Sequence, residues 1–227
     1  MHIDDSHFPI EYVWDGELEP PPDVKTFATR GGGELPRVSI GRPVWWSDQK
    51  VLGEKWTAPA GGRRYGLARF AFSLRPQEKQ TVRKAELIVR LSAKGGGLNP
   101  IAFDLFPKPT TEEQTGEFNV KVGPDFKFAG AELSVASAET TVNLRQAAPV
   151  ITVDGIGESF ARWVFAAHSA RPLVGSQLAY ATIELPPGVA AARASVQLSA
   201  DVASGFRSAL GFLPERDSAR LSWVLGE

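Results

Sequence analysis

The sequence predicts an all-β fold: an antiparallel β-sandwich with one or two short helices. Three observations carry that expectation. Apolar residues recur at every second position in run after run, the mark of strands with one oily and one wet face. The 22 Gly and 17 Pro are spread along 227 residues as punctuation, which suits many short strands joined by turns. And one pattern is written twice. LARFAFSLRP (67–76) is answered by LAYATIELPP (178–187), and VRKAELIVRLSA (82–93) by VAAARASVQLSA (189–200).

The runs follow in chain order. In HFPIEYVW, Phe8, Ile10, Tyr12 and Trp14 share one strand face, and DGELEPPPDVK reads as a polar, Pro-rich linker. Residues 1–25 are therefore expected to form an acidic arm on a single 1–227 domain. Within residues 1–20 lie Asp4, Asp5, Glu11, Asp15, Glu17 and Glu19, with no Lys or Arg. Residues 63–94 carry nine Lys/Arg against two acids, Glu78 and Glu86, so the arm is expected to pack near this basic stretch unless both are simply solvated. TRGGGELP, APAGGRRYG and AKGGGLNP read as turns, with RVSIGRPVWW and IAFDLFP as strands. KPTTEEQTGE is a loop, and FNVKV, DFKFAG, ELSVAS, TTVNLR and PVITVDG are five further short alternating runs. GESFARWVFAAHSA fits a helix through Phe160, Trp163, Val164 and Ala167, and fits a buried strand equally well. SGFRSALGFL (204–213) could form a short helix, and ARLSWVLG alternates once more.

In the repeat, Ala68, Phe70, Phe72 and Leu74 match Ala179, Ala181, Ile183 and Leu185. In the following strand Ala85, Leu87, Val89, Leu91 and Ala93 match Ala192, Ala194, Val196, Leu198 and Ala200. The spacing difference falls where a turn sits, as a duplicated β-hairpin would leave it; two unrelated hairpins in an Ala/Val/Leu-rich chain would look the same. Either way each segment is expected to be a two-stranded unit, and such units need a shared core. The economical arrangement is two sheets packed face to face. The cadence F-x-F-S-L followed by A-E-L-I-V-R-L resembles, in strand pattern alone, that of jelly-roll β-sandwich modules.

Composition excludes several functions. There is no cysteine, hence no disulfide, thiolate metal site or Cys nucleophile. Net charge is −1, so nothing global steers the chain to nucleic acid. The N-terminus MHIDDSHFPI lacks the basic and apolar regions of a secretory signal, and no apolar run reaches the roughly 20 residues of a transmembrane helix. The expectation is a cytoplasmic protein without cofactor or resident metal.

The candidate sites are few. GESFA (157–161) resembles a nucleophile elbow with Ser159, and His168 follows nine residues later, but the order Asp154–Ser159–His168 is not a usual triad layout. His2, Asp4, Asp5 and His7 have ligand chemistry but sit at a terminus. Glu112, Glu113, Glu132 and Glu158 stand in or beside loops. Trp45 and Trp46 are adjacent on a strand and so point to opposite faces; one of them could stack on a sugar or anchor a partner. If 67–75 pairs with 84–93, Arg69, Lys84, Glu86 and Arg90 share a wet face suited to phosphate, acidic lipid or an acidic protein. The expected ligand-binding residues are thus Trp45, Trp46, Arg69, Lys84 and Arg90. The expected function is non-enzymatic binding or assembly through protein partners or self-association. A carbohydrate- or anionic-ligand module is the alternative, and a serine hydrolase the third reading.

Overall fold

Each alternating run finds a partner, and the choice of partner sets the architecture. The computed structural model describes residues 9–21, 35–47, 62–109, 150–168, 172–204 and 207–226. Among them, β1 (Tyr12–Glu17), β2 (Arg37–Gly41), β3 (Val44–Ser47), β4 (Arg64–Arg75), β6 (Ile101–Phe106) and β9 (Gly175–Leu185) form sheet I. Sheet II contains β5 (Gln80–Ala93), β7 (Val150–Asp154), β8 (Phe160–Ala166), β10 (Ala192–Ser204), β11 (Arg207–Phe212) and β12 (Ser222–Leu225). The order in sheet I is β1-β2-β4-β9-β6, with β3 continuing along the β2 edge of β4. In sheet II it is β11-β10-β5-β8-β7, with β12 sharing the β11 edge of β10. All pairings between the named strands are antiparallel, and the inner faces share one core. The all-β sandwich is the fold that the sequence predicts.

The repeat needs correction. Its two strands do not pair with each other. The chain turns at 76–79 and passes from sheet I into sheet II, as it does again at 186–191. β4 instead pairs with its counterpart β9, and β5 with its counterpart β10. Arg69 stands opposite Tyr180 and Val89 opposite Val196, which are matched positions of the two copies. A matched position that faces itself across an antiparallel ladder marks a local two-fold axis, and both sheets have one. Complementary size favours the choice at two rows: Phe70 lies against Ala179 and Leu91 against Ala194. Large residues of one copy fill the space that small residues of the other leave.

Of the two readings open for GESFARWVFAAHSA the strand holds, while the short helix expected within 204–213 is a strand over 207–212. Residues 160–166 form a strand, because Ala161, Trp163 and Phe165 are buried at period 2 while their neighbours are half-buried. Trp163 is held there as its indole N–H donates to the Phe106 carbonyl at 3.0 Å. Residues 207–212 form β11, and the short helix α1 (Glu215–Ser218) begins just after Pro214. The turn at 94–99 is as expected: Gly95, Gly96 and Gly97 all have φ between 92° and 104°, where a side chain would be strained.

Both open flanks of the sandwich are laced shut. Glu19 and Phe212 exchange two backbone hydrogen bonds of 2.8 Å, joining the end of β1 to β11. On the other side Ala102 of β6 receives and donates one bond each with Gly157 and Glu158 of the β7–β8 turn. These links satisfy edge groups that would otherwise offer a template for strand addition.

Candidate functional site

The outer faces of the two sheets differ, and the difference locates the site. On β5 and β10 every second side chain is buried and the others face water. β4 is buried on both faces from Tyr65 to Phe72. Arg69 is only 2% exposed and belongs to sheet I, whereas Lys84 and Arg90 are exposed on sheet II. The shared basic face expected from the sequence therefore does not form. GLARFAF is a central strand covered on both sides, and its single arginine sits in a nearly continuous apolar run.

The tryptophans do take opposite faces. Trp45 packs against the core, with its ring so close to Gly66 that a Cβ there would lie 2.0 Å from it. Trp46 is half-buried on the outer side of sheet I, opposite Leu67. Near it lies a buried polar group that the sequence did not disclose. The Tyr65 hydroxyl donates to Glu184 at 2.7 Å, and Arg63 approaches the other Glu184 oxygen at 3.1 Å. Burial, and then the neighbouring carboxylate, push the Tyr65 phenol above its ordinary value. Thr182 is fully buried beside them, and its hydroxyl has no hydrogen-bond partner. The signal that could have found this group is the register, since Tyr65 stands opposite Glu184.

At the far end of the same face, Asp15 accepts from Arg37 at 2.5 Å, from Ser39 at 2.8 Å and from Arg75. Arg37, and after it Arg75 and Ser39, hold its carboxyl well below the ordinary carboxylate range. This contact joins the acidic N-terminal stretch to the basic stretch, as the charge pattern suggests.

Sheet II carries the concave surface. A groove of about 1080 Å³ runs along its outer face at the β11 side. Its floor comes from alternate residues of β5 and β10, including Lys84, Glu86, Ile88, Gln197 and Asp201. Its wall is apolar, built by Leu210, Phe212 and Leu213 with Pro20, Pro21 and Pro214. Leu210 is 46% and Phe212 38% exposed. Glu86 accepts from the Arg162 Nε at 2.8 Å and lies 4.0 Å from Lys84, while Glu19 pairs with Arg216 at 2.8 Å. Asp201 stands opposite Lys84 on the neighbouring strand and makes no ion pair among the described residues. Four carboxylates, Glu19, Glu86, Asp201 and Glu215, line the groove against two cations, Lys84 and Arg216. Arg90 lies outside it, toward the opposite end of the face.

The other candidates are dispersed. Ser159 and His168 bracket β8, so an extended strand of roughly 3.3 Å per residue separates them by on the order of 25–30 Å. They cannot act as nucleophile and base. His2, Asp4, Asp5, His7, Glu112, Glu113 and Glu132 lie outside the described residues, as do the runs between 118 and 145. Among the described residues, no group of three His, Cys, Asp or Glu could hold a metal ion, and no helix is long and apolar enough to cross a membrane.

No family model matches the sequence, and no curated protein does. Solved structures overlay on it distantly. A pore forming protein is 9% identical with a TM-score of 0.40, covering 86% of this chain and 90% of that one. The Clostridium perfringens NetB toxin in its membrane inserted form is 10% identical at 0.35, covering 81% and 94%. Clostridium perfringens delta-toxin is 9% identical at 0.38, covering 79% and 86%. At these values they assign neither family nor activity.

Proposed function

We propose that the chain is a binding module whose working surface is the outer face of sheet II, and that its partner is a protein. One observation carries this reading: the groove sets an exposed apolar wall beside a floor with an excess of carboxylates. That pairing suits an apolar side chain flanked by a cation, the combination that anchors protein interfaces. A free inorganic anion suits it poorly, because carboxylates outnumber cations there. Arg90 serves the same face from its other end. Both tryptophans considered for carbohydrate are half-buried, and Trp45 spends one side of its ring on the core.

The test uses a defined probe, an acetylated (Leu-Lys)4 peptide, with (Leu-Glu)4 as control. Titration of isotope-labelled protein is expected to shift the amide signals of Ser199, Asp201, Leu210 and Phe212 with the first peptide alone. D201K should weaken that response at least about tenfold. Equal response to both peptides, or shifts confined to sheet I, would refute the reading.

A further inference from the structure

We infer that the partner of this face is a second copy of the chain, docked face to face about a two-fold axis that runs along the row Ile88–Gln197. The inference rests on the binding reading above and gives its occupant. It comes from the spacing of charge on two neighbouring strands. Ile88 and Gln197 stand opposite each other in the middle of the face. On β5, Glu86 lies two residues before Ile88 and Arg90 two residues after it. On β10, Arg193 lies four residues before Gln197 and Asp201 four residues after it. All four point to the outer side. One end of the face thus carries Glu86 and Asp201, with Lys84 beside them, and the other carries Arg90 and Arg193, neither of which makes an ion pair among the described residues.

A two-fold axis lying in the interface, across the strands at that row, reverses strand direction and keeps each strand over its own copy. It then sets Arg90 against Glu86 and Arg193 against Asp201 of the second molecule, each contact made twice. A two-fold interface requires a surface to be its own complement, and evenly spaced opposite charges meet that demand. The apolar residues obey the same rule independently. Leu210 flanks Asp201, and Val224 flanks Arg193. The axis brings together these two exposed residues, 46% and 36% exposed. On the other side it brings Val164, which flanks Glu86, to Phe160, which flanks Arg90. Arg162, opposite Ile88, lies on the axis and meets its own copy; each is offset by its own Glu86 at 2.8 Å. The basic end of one molecule enters the acidic groove of the other. With strands about 4.8 Å apart and about 3.3 Å per residue, a five-strand face offers on the order of 700 Å², close to the roughly 800 Å² per partner of a standard interface.

Sedimentation velocity of the full chain tests this with single charge reversals on the surface. Wild type is expected to sediment as a dimer at about 10 μM, and R193E and D201R each as monomers, with dimerisation weakened at least about tenfold. Mixing equal amounts of R193E and D201R should restore a dimer, because in the mixed pair both cross-contacts again join opposite charges. A merely misfolded variant would not be rescued, and unchanged circular dichroism spectra check the folds, since loss of the dimer by itself lowers a urea midpoint. A wild type that stays monomeric at 100 μM, or a mixture that stays monomeric, overturns the inference. If the monomer still answers (Leu-Lys)4 at the groove, only self-docking has failed; if it does not, the binding reading has failed with it.

Discussion

The outer faces of the two sheets are built from matched strands and have opposite fates. β4 of sheet I and β5 of sheet II follow each other in the chain, as β9 and β10 do. Yet Arg69, Thr182 and Glu184 on the outside of sheet I are buried, while Arg90, Arg193 and Gln197 on the outside of sheet II are exposed. The contrast shows that the inner face of a strand can be read from its own pattern, whereas the state of its outer face depends on what lies beyond the sheet. It also divides the labour. Sheet I has polar groups satisfied mostly within the protein, and sheet II keeps its charges for contact with water or a partner.

The comparison can be broken at its shared core first. Phe70→Ala should cost about 3–5 kcal/mol in urea unfolding, because the ring fills the space against Ala179 and packs on Trp163. Such a loss would fall on both sheets together; a local effect confined to sheet I in hydrogen exchange would contradict a single core.

Arginine on the two faces gives the sharper contrast. Arg69→Ala is expected to destabilise by about 2–4 kcal/mol, since it removes a buried, packed guanidinium and strands what it contacts. Arg90→Ala should stay within about 0.5 kcal/mol when both variants are compared as monomers. Equal urea midpoints for the two variants would erase the distinction between the faces.

Tyr65→Phe should cost about 1–3 kcal/mol, as it removes the hydroxyl that donates to buried Glu184. Its pH dependence has a definite sign. A phenol with a raised folded pKa contributes stability that is fully present below its ordinary value near 10 and is lost as pH rises through the folded value. Thermal unfolding across that alkaline range should therefore fall more steeply for wild type than for Y65F. The smallest effect has the opposite direction. Thr182→Val keeps the shape and removes a buried hydroxyl without a partner, so it should stabilise by about 1 kcal/mol. A loss of stability in T182V would mean that the hydroxyl has a use.

The inner faces were legible in the sequence because alternation alone decides them: Ala68, Phe70, Phe72 and Leu74 are all buried, as are Ala85, Leu87, Val89 and Leu91. Strand partnership was not legible. A pattern of two adjacent strands looks the same whether the strands pair or cross between sheets, and only the size match of Phe70 with Ala179 separates the cases. For the same reason Arg69 was grouped with Lys84 and Arg90. The groove was half legible. Lys84 is in it, but Leu210 and Phe212 come from a stretch that reads as helix, and Pro20 and Pro21 from one that reads as linker. Their convergence depends on the Glu19–Phe212 bridge, a contact between residues nearly two hundred positions apart that no local pattern encodes.

The chain has no cysteine, which permits a direct measurement of the difference between the faces. Thr182→Cys and Gln197→Cys each place one thiol on the outer side of a central strand, the first on sheet I and the second on sheet II. Reaction with a thiol reagent under native conditions, on protein diluted until it is monomeric, is expected to label Q197C at the rate of a free thiol and to leave T182C unlabelled until urea unfolds the protein. Comparable native labelling of both would show that the outer face of sheet I is as open as that of sheet II, and would contradict the account.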